Sequence, residues 1–228
     1  MRRATVLLLA AGAAPGRPFW HPAGPQKSAP AGPAARSAED REPPQIFYLE
    51  FDGGRVPIEL DKPLGTDALG GVKAITLRAE AYRVFPYGGV RFNYPREYTF
   101  EADLETKDVS MWTLSGNDCK ILVQRYRGQA DHRAILESVK KSMLARYKDP
   151  GARESAAALS VRGADLEGRR IEARVATTLI RQDLYSAPAG PDTVLLILQD
   201  SPREDGEPSA DWARAERMFR ETMKLPGK

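Results

Sequence analysis

The chain has few of the residues that build metal centres and nucleophilic triads. Its 228 residues include one cysteine, Cys119, and two histidines, His21 and His132. A single cysteine excludes an intramolecular disulfide and a cysteine-rich metal site. Two histidines exclude a three-histidine zinc centre. No apolar run approaches the ~20 residues that a membrane-spanning helix needs. Phosphate-loop and dinucleotide fingerprints are missing, and Gly70-Gly71 and Gly88-Gly89 read as turns. No cofactor is therefore expected.

Charge excess is also scarce where it would matter. The formal charge is +3, from 34 Lys and Arg against 31 Asp and Glu. Residues 1–45 hold six of the former and three of the latter, so residues 46–228 carry 28 of each. A phosphate-tracking surface needs a basic excess or a dense basic stripe. Nucleic acid is not an expected partner.

The amino terminus reads Met1-Arg-Arg-Ala-Thr-Val-Leu-Leu-Leu-Ala-Ala-Gly-Ala-Ala14. A basic start, a short apolar core and a small-residue end form the three-part pattern of a secretory signal, placed at 1–13. Export to the periplasm or the extracellular space is the expectation. Residues 14–45 contain eight prolines and three glycines. Proline removes backbone donors and restricts its predecessor, so neither helix nor sheet propagates there. A disordered Pro/Ala-rich linker is expected over 14–45, leading into one domain over 46–228.

The domain opens on two short alternating runs, 46–51 and 56–60, around the turn Asp52-Gly53-Gly54-Arg55. Pro57 marks an edge strand, since it cannot donate to a ladder. Val72 to Phe85 alternates as one strand, with Ile75, Leu77, Ala79 and Ala81 on one side. Runs at 111–114 and 119–126 form a second hairpin around Ser115-Gly116-Asn117-Asp118. Asp131 to Tyr147 carries a helical stripe of Ile135, Leu136, Val139, Met143, Leu144 and Tyr147, with Asp131 as N-cap and a Glu137–Lys141 pair. Strands follow at 157–162 and at 169–180, the latter strictly alternating. Val194–Leu198 is continuously apolar and reads as a central strand buried on both faces. Ser209 or Asp211 caps a last helix presenting Trp212, Ala215, Phe219 and Met223. The fold class is α+β: a mostly antiparallel sheet with amphipathic helices on both faces. An extra β-hairpin segment, 46–88, precedes the core.

Between the first segment and the second hairpin, Phe92-Asn93-Tyr94-Pro95 leads into Tyr98 and Phe100. Pro95-Arg96-Glu97 is read as a corner between two strands, because an interior proline forfeits a ladder bond. A hairpin with Trp112, a long helix, a hairpin meander and a carboxy-terminal helix follow. This order resembles the PsbP-like fold, shared by the photosystem II extrinsic subunit, the Ran-binding Mog protein and bacterial secreted domains. The resemblance covers roughly residues 89–225. It implies a domain that binds proteins or assists assembly and does not catalyse a reaction.

Candidate chemistry is sparse. His132 is the one histidine in the folded part, at the start of an expected surface helix. Cys119 begins an apolar strand and reads as a small buried hydrophobe. Glu101, Asp103 and Glu105 share a solvated strand face, whereas acid–base work needs a desolvated member. The remaining candidate is basic: Arg125, Arg127, His132 and Arg133 surround a helix start. Free N–H groups there attract anions, and arginine adds bidentate donors. An anionic ligand or an acidic partner segment is the expected guest, and a solvated loop with Asp131 filling the cap is the alternative. The expected function is an exported, non-enzymatic protein-binding or assembly-assisting domain with a protein partner. Alternatives are a carrier of a small apolar ligand, in a cavity lined by Trp112, Leu122, Val139 and Phe219, and a cytosolic chaperone or adaptor. A hydrolase would need a missing group supplied from outside.

Overall fold

The computed structural model describes residues 38–225 apart from 53, 59–73, 129–130, 148 and 163. The expected signal segment and residues 14–37 of the expected linker lie outside the described residues.

A three-residue 3-10 turn (Ala38–Asp40) is followed by β1 (Phe47–Phe51) and β2 (Gly54–Ile58). Next come β3 (Ile75–Ala79), β4 (Tyr82–Phe85) and β5 (Phe92–Pro95). The main sheet is built from β6 (Thr99–Asp103), β7 (Val109–Ser115), β8 (Cys119–Tyr126), β9 (Arg153–Val161), β10 (Ala164–Val175), β11 (Thr178–Ala189) and β12 (Asp192–Asp200). Helix α1 (His132–Tyr147) follows β8, and α2 (Ala210–Thr222) follows β12. Every strand pairing is antiparallel. The fold is α+β.

The seven-stranded sheet has the order β6-β7-β8-β12-β11-β10-β9. Its central strand is β12, the one with the continuous apolar run. Val194, Leu196 and Leu198 join the core under α2, whereas Leu195 and Ile197 join the core under α1. A strand covered on both sides has no solvent face on which to place polar residues. Helix α1 lays Leu136, Val139 and Met143 on one face of the sheet. Helix α2 lays Trp212, Ala215 and Phe219 on the other. Each such large side chain contributes about 1.5–3 kcal/mol by leaving water.

The start of α2 is tied to the end of the central strand. Ser209 is the N-cap and accepts from Trp212 N at 3.0 Å. Its hydroxyl donates to Asp200 Oδ1 at 2.6 Å. Helix α1 is capped by Asp131, whose Oδ1 accepts from Arg133 N at 2.9 Å.

The corner at Pro95 is present. Strand β5 belongs to a two-stranded sheet with β4, and β6 starts the main sheet. Between them Tyr98 N donates to Pro95 O at 3.1 Å. Pro95 sits at the end of β5 opposite Tyr82, so no interior ladder bond is lost. Phe92 and Tyr94 are fully buried beneath α2.

Three local expectations need correction. The alternation from Val72 to Phe85 is not one strand. It breaks at Glu80-Ala81, and β3 and β4 belong to different sheets. The alternation over 169–180 is likewise two strands, joined by Ala176-Thr177 with Val175 opposite Thr178. A two-residue turn keeps apolar and polar residues alternating along the chain while reversing its direction, so periodicity alone does not mark it. The helical ion pair also differs: Glu137 pairs with Lys140, and Lys140 reaches on to Glu154 at 2.9 Å.

Strands β1, β2 and β3 form a separate sheet in the order β2-β1-β3, with Pro57 on an edge strand. Directly opposed residues share a face. The register sets Phe47 beside Ile58 and Ala79, Leu49 beside Val56 and Leu77, and Phe51 beside Gly54 and Ile75. One face of this small sheet is therefore wholly apolar. The other carries Tyr48, Glu50, Arg55, Pro57, Thr76 and Arg78.

Candidate functional site

Residues 38–45, expected as the end of a tether, instead lie against the domain. The contacts follow a pattern. Trp112 Nε1 donates to the carbonyl of Glu39 at 2.8 Å. Tyr87 Oη donates to the carbonyl of Arg41 at 2.6 Å. Arg83 Nη1 lies 3.5 Å from the carbonyl of Pro43. Alternate carbonyls of the segment thus meet donors from β4, from the loop after it and from β7. The carboxylates are met as well. Arg125 grips Glu39 with two bonds of 3.2 and 3.0 Å, and Arg83 pairs with Glu42. Farther along, Gln45 Nε2 donates to Glu80 O at 3.0 Å.

The groove walls are aromatic. Tyr87 stacks on Trp112 at 5.9 Å between centroids, and Phe85 meets Trp112 edge-on at 6.0 Å. The Arg125 guanidinium lies 5.6 Å from the Trp112 ring centroid, within cation–π range. Trp112 is fully buried, so its indole N–H would cost free energy without an acceptor. Beneath the segment Tyr94 is also fully buried, and burial pushes its hydroxyl up to about 12. Its Oη, Arg83 Nε and Arg125 Nε have no hydrogen-bond acceptor among the described residues.

Of the four basic residues singled out by sequence, only Arg125 belongs to this groove. Arg127 turns to the loop between β6 and β7, donating to Lys107 O at 2.7 Å. His132 and Arg133 belong to α1, on the opposite face of the sheet from Arg125. His132 Nδ1 lies 3.2 Å from Ser186 Oγ. Asp131 occupies the helix start through Arg133 N. The four do not form one site, because β8 points alternate side chains to opposite faces while α1 covers only one of them. Arg125 does meet an acidic segment, contributed by its own chain. Glu39, Glu42, Arg83 and Tyr87 were missed, and Trp112 was singled out only as a lining of the apolar cavity. The acidic cluster Glu39-Asp40-Arg41-Glu42 inside a proline-rich stretch was the available signal.

The carrier cavity expected from Trp112, Leu122, Val139 and Phe219 is not formed by these four. Trp112 and Phe219 pack under α2, whereas Leu122 and Val139 pack under α1, with the sheet between them. Cys119 is buried, and burial pushes its thiol up to about 12. Such a thiol carries little thiolate at neutral pH. Among the described residues no three His, Cys, Asp or Glu side chains cluster as a metal site would need.

A second surface is the apolar face of the small sheet. Leu77 is 62 % exposed and Ile75 49 % exposed. None of its residues belongs to either hydrophobic core. Among the described residues no helix is long and apolar enough to cross a membrane.

No protein-family model matches the chain, and no curated protein does. Solved structures do align. A protein of Bacteroides thetaiotaomicron VPI-5482 is 11 % identical over 65 % of this chain, with TM-score 0.40, and the chain spans half of that protein's length. LpqN, involved in cell envelope biogenesis of Mycobacterium tuberculosis, is 14 % identical over 59 % of this chain and 82 % of its own, with TM-score 0.38. PA94 of Pseudomonas aeruginosa, a protein of unknown function, is 12 % identical over 60 % of this chain and 90 % of its own, with TM-score 0.32.

Proposed function

We propose that this chain is an exported, non-enzymatic protein-binding or assembly-assisting domain of the PsbP-like type. The observation that carries this reading is the apolar face of the small sheet. Apolar side chains from three strands point the same way there, and Leu77 and Ile75 meet water. Contiguous exposed apolar surface of this kind marks contact sites, and a binding partner would recover its desolvation energy. The polar back of the same sheet supports a docking role over a core role. The PsbP-like assignment draws support from the Pro95 corner, the Trp112 hairpin and the helix on each face. Export draws support from the basic, apolar and small-residue succession at 1–14.

A photo-crosslinking residue at position 77, expressed in the native host, tests this reading. A discrete adduct with one envelope or secreted protein is expected, together with a mature amino terminus trimmed near residue 13. An uncleaved, cytosolic chain whose position 77 crosslinks to nothing overturns both parts.

One contact favours a hydrolase reading: the Ser186–His132 pair at 3.2 Å. Nucleophilic catalysis needs a third group orienting the histidine, and no bond from a carboxylate to His132 is present among the described residues. Stoichiometric labelling of Ser186 by a fluorophosphonate would reverse the preference.

A further inference from the structure

We infer that the groove under residues 39–43 is a recognition site for an acidic, proline-containing segment of a partner protein, occupied here in cis by the chain's own tail. This goes beyond the apolar face of the small sheet, since a different surface is involved.

The manner of the grip is the first argument. The domain reads carbonyls 39, 41 and 43 through Trp112, Tyr87 and Arg83, and carboxylates 39 and 42 through Arg125 and Arg83. These contacts require main-chain acceptors and two carboxylates three residues apart, and the proline that follows is buried. Any chain with that pattern offers the same acceptors. Aromatic-walled grooves lined by arginine are a recurring solution for proline-rich and acidic segments. Residues 38–42 are exposed or half-buried and Pro43 is buried, but none of residues 38–43 belongs to either hydrophobic core, so the tail can leave without withdrawing a core side chain.

Incomplete satisfaction is the second argument. Arg83 Nε, Arg125 Nε and Tyr94 Oη meet no acceptor among the described residues while the tail is in place. The nearest carboxylate to Arg125 Nε belongs to Asp192, at 4.0 Å. Both arginines already touch the tail through their other nitrogens, and Tyr94 lies directly opposite Arg83 in the β4–β5 pair. The unmet donors therefore line one site. A segment with more acceptors than the tail would engage them, and that favours a different protein over the tail of a second copy.

The test uses the full chain carrying Glu39→Gln and Glu42→Gln, which loosens the tail. Fluorescein-labelled peptides AEDREPPQ and AEDEEPPQ serve as probes, read by anisotropy. The loosened variant should bind AEDEEPPQ at least about tenfold more tightly than the wild-type chain does, a difference of one decade in Kd. It should also prefer AEDEEPPQ to AEDREPPQ. Adding Arg125→Ala should abolish the gain. Equal binding by wild type and variant, or binding that survives Arg125→Ala, overturns the inference. Concentration-dependent dimerisation of the wild-type chain through tail exchange overturns the assignment of the occupant in favour of a second copy. If circular dichroism shows the double variant unfolded, Glu42→Gln alone carries the same comparison. Failure here leaves crosslinking at Leu77 unaffected, so the two readings fail separately.

Discussion

Trp112 Nε1 donates a 2.8 Å hydrogen bond to the carbonyl of Glu39, 73 residues earlier in the chain. That bond fastens the acidic segment to the second strand of the main sheet. Replacing Trp112 by Phe removes the donor and part of the ring over which Arg125 lies. Loss of a buried hydrogen bond plus packing volume should cost about 1–3 kcal/mol, measured by urea unfolding. Amide exchange over 38–43 should rise well above that of β12 in the same variant.

Gly168 faces β11 where no side chain fits. A Cβ there would run into the carbonyl oxygen of Leu184 and the ring of Tyr185. The carbonyl belongs to a paired strand and cannot step aside. Gly168→Ala should destabilise the domain by about 1–3 kcal/mol, seen as a lower urea midpoint with unchanged slope.

The β10–β11 turn contains a conformational cost that can be removed. Ala176 has φ of 56°, a left-handed conformation that an L residue with a Cβ resists. Ala176→Gly should raise stability by about 0.5–1 kcal/mol, after allowing for the greater freedom of glycine in the unfolded chain. A lower melting temperature in this variant would contradict the assignment.

Asp149 and Asp200 should act oppositely in acid. Bonds from Arg174 N and Gly151 N hold the Asp149 carboxyl below its ordinary value of 3.8. Its stabilising contribution is present above that value and lost as pH falls through the lowered folded value. Burial raises the Asp200 carboxyl above 3.8. Its contribution is therefore fully present below 3.8 and lost as pH rises through the raised folded value. Asp149→Asn should flatten the loss of stability on the acid side, measured by unfolding at a series of pH values. Asp200→Asn should remove the opposing rise, and an identical pH profile for both variants would refute the scheme.

Tyr94 offers a further check. Its buried hydroxyl meets no acceptor among the described residues. Tyr94→Phe should leave stability unchanged or raise it by up to about 1 kcal/mol. A loss comparable to Trp112→Phe would mean that the hydroxyl has a partner.

Much of this architecture is legible in one dimension because it rests on short-range patterns. Val194–Leu198 is apolar on both parities, and that alone required a strand covered on two sides. Ser209 with Trp212, Ala215 and Phe219 marks a capped, one-sided helix through spacing. Pro95 cannot donate to a ladder, so it announced a corner. These properties belong to the backbone and to side-chain periodicity, and they need no knowledge of distant neighbours. The split at Ala176-Thr177 was not visible, since alternation runs on through it, and the one at Glu80-Ala81 was marked only by a change of parity at the adjacent pair Ala81-Tyr82. Only pairing partners reveal where the strand ends. The separation of Arg125 from His132 is of the same kind. The four basic residues are near one another in the chain, but alternation along β8 and the seat of α1 on one face place them on opposite sides. The grip of Arg125 on Glu39 joins residues 86 apart. Local preference contains no information about such a pair. It forms because the fold brings a buried indole donor and two arginines to the path of an acidic, proline-bearing segment, where charge and main-chain acceptors match them.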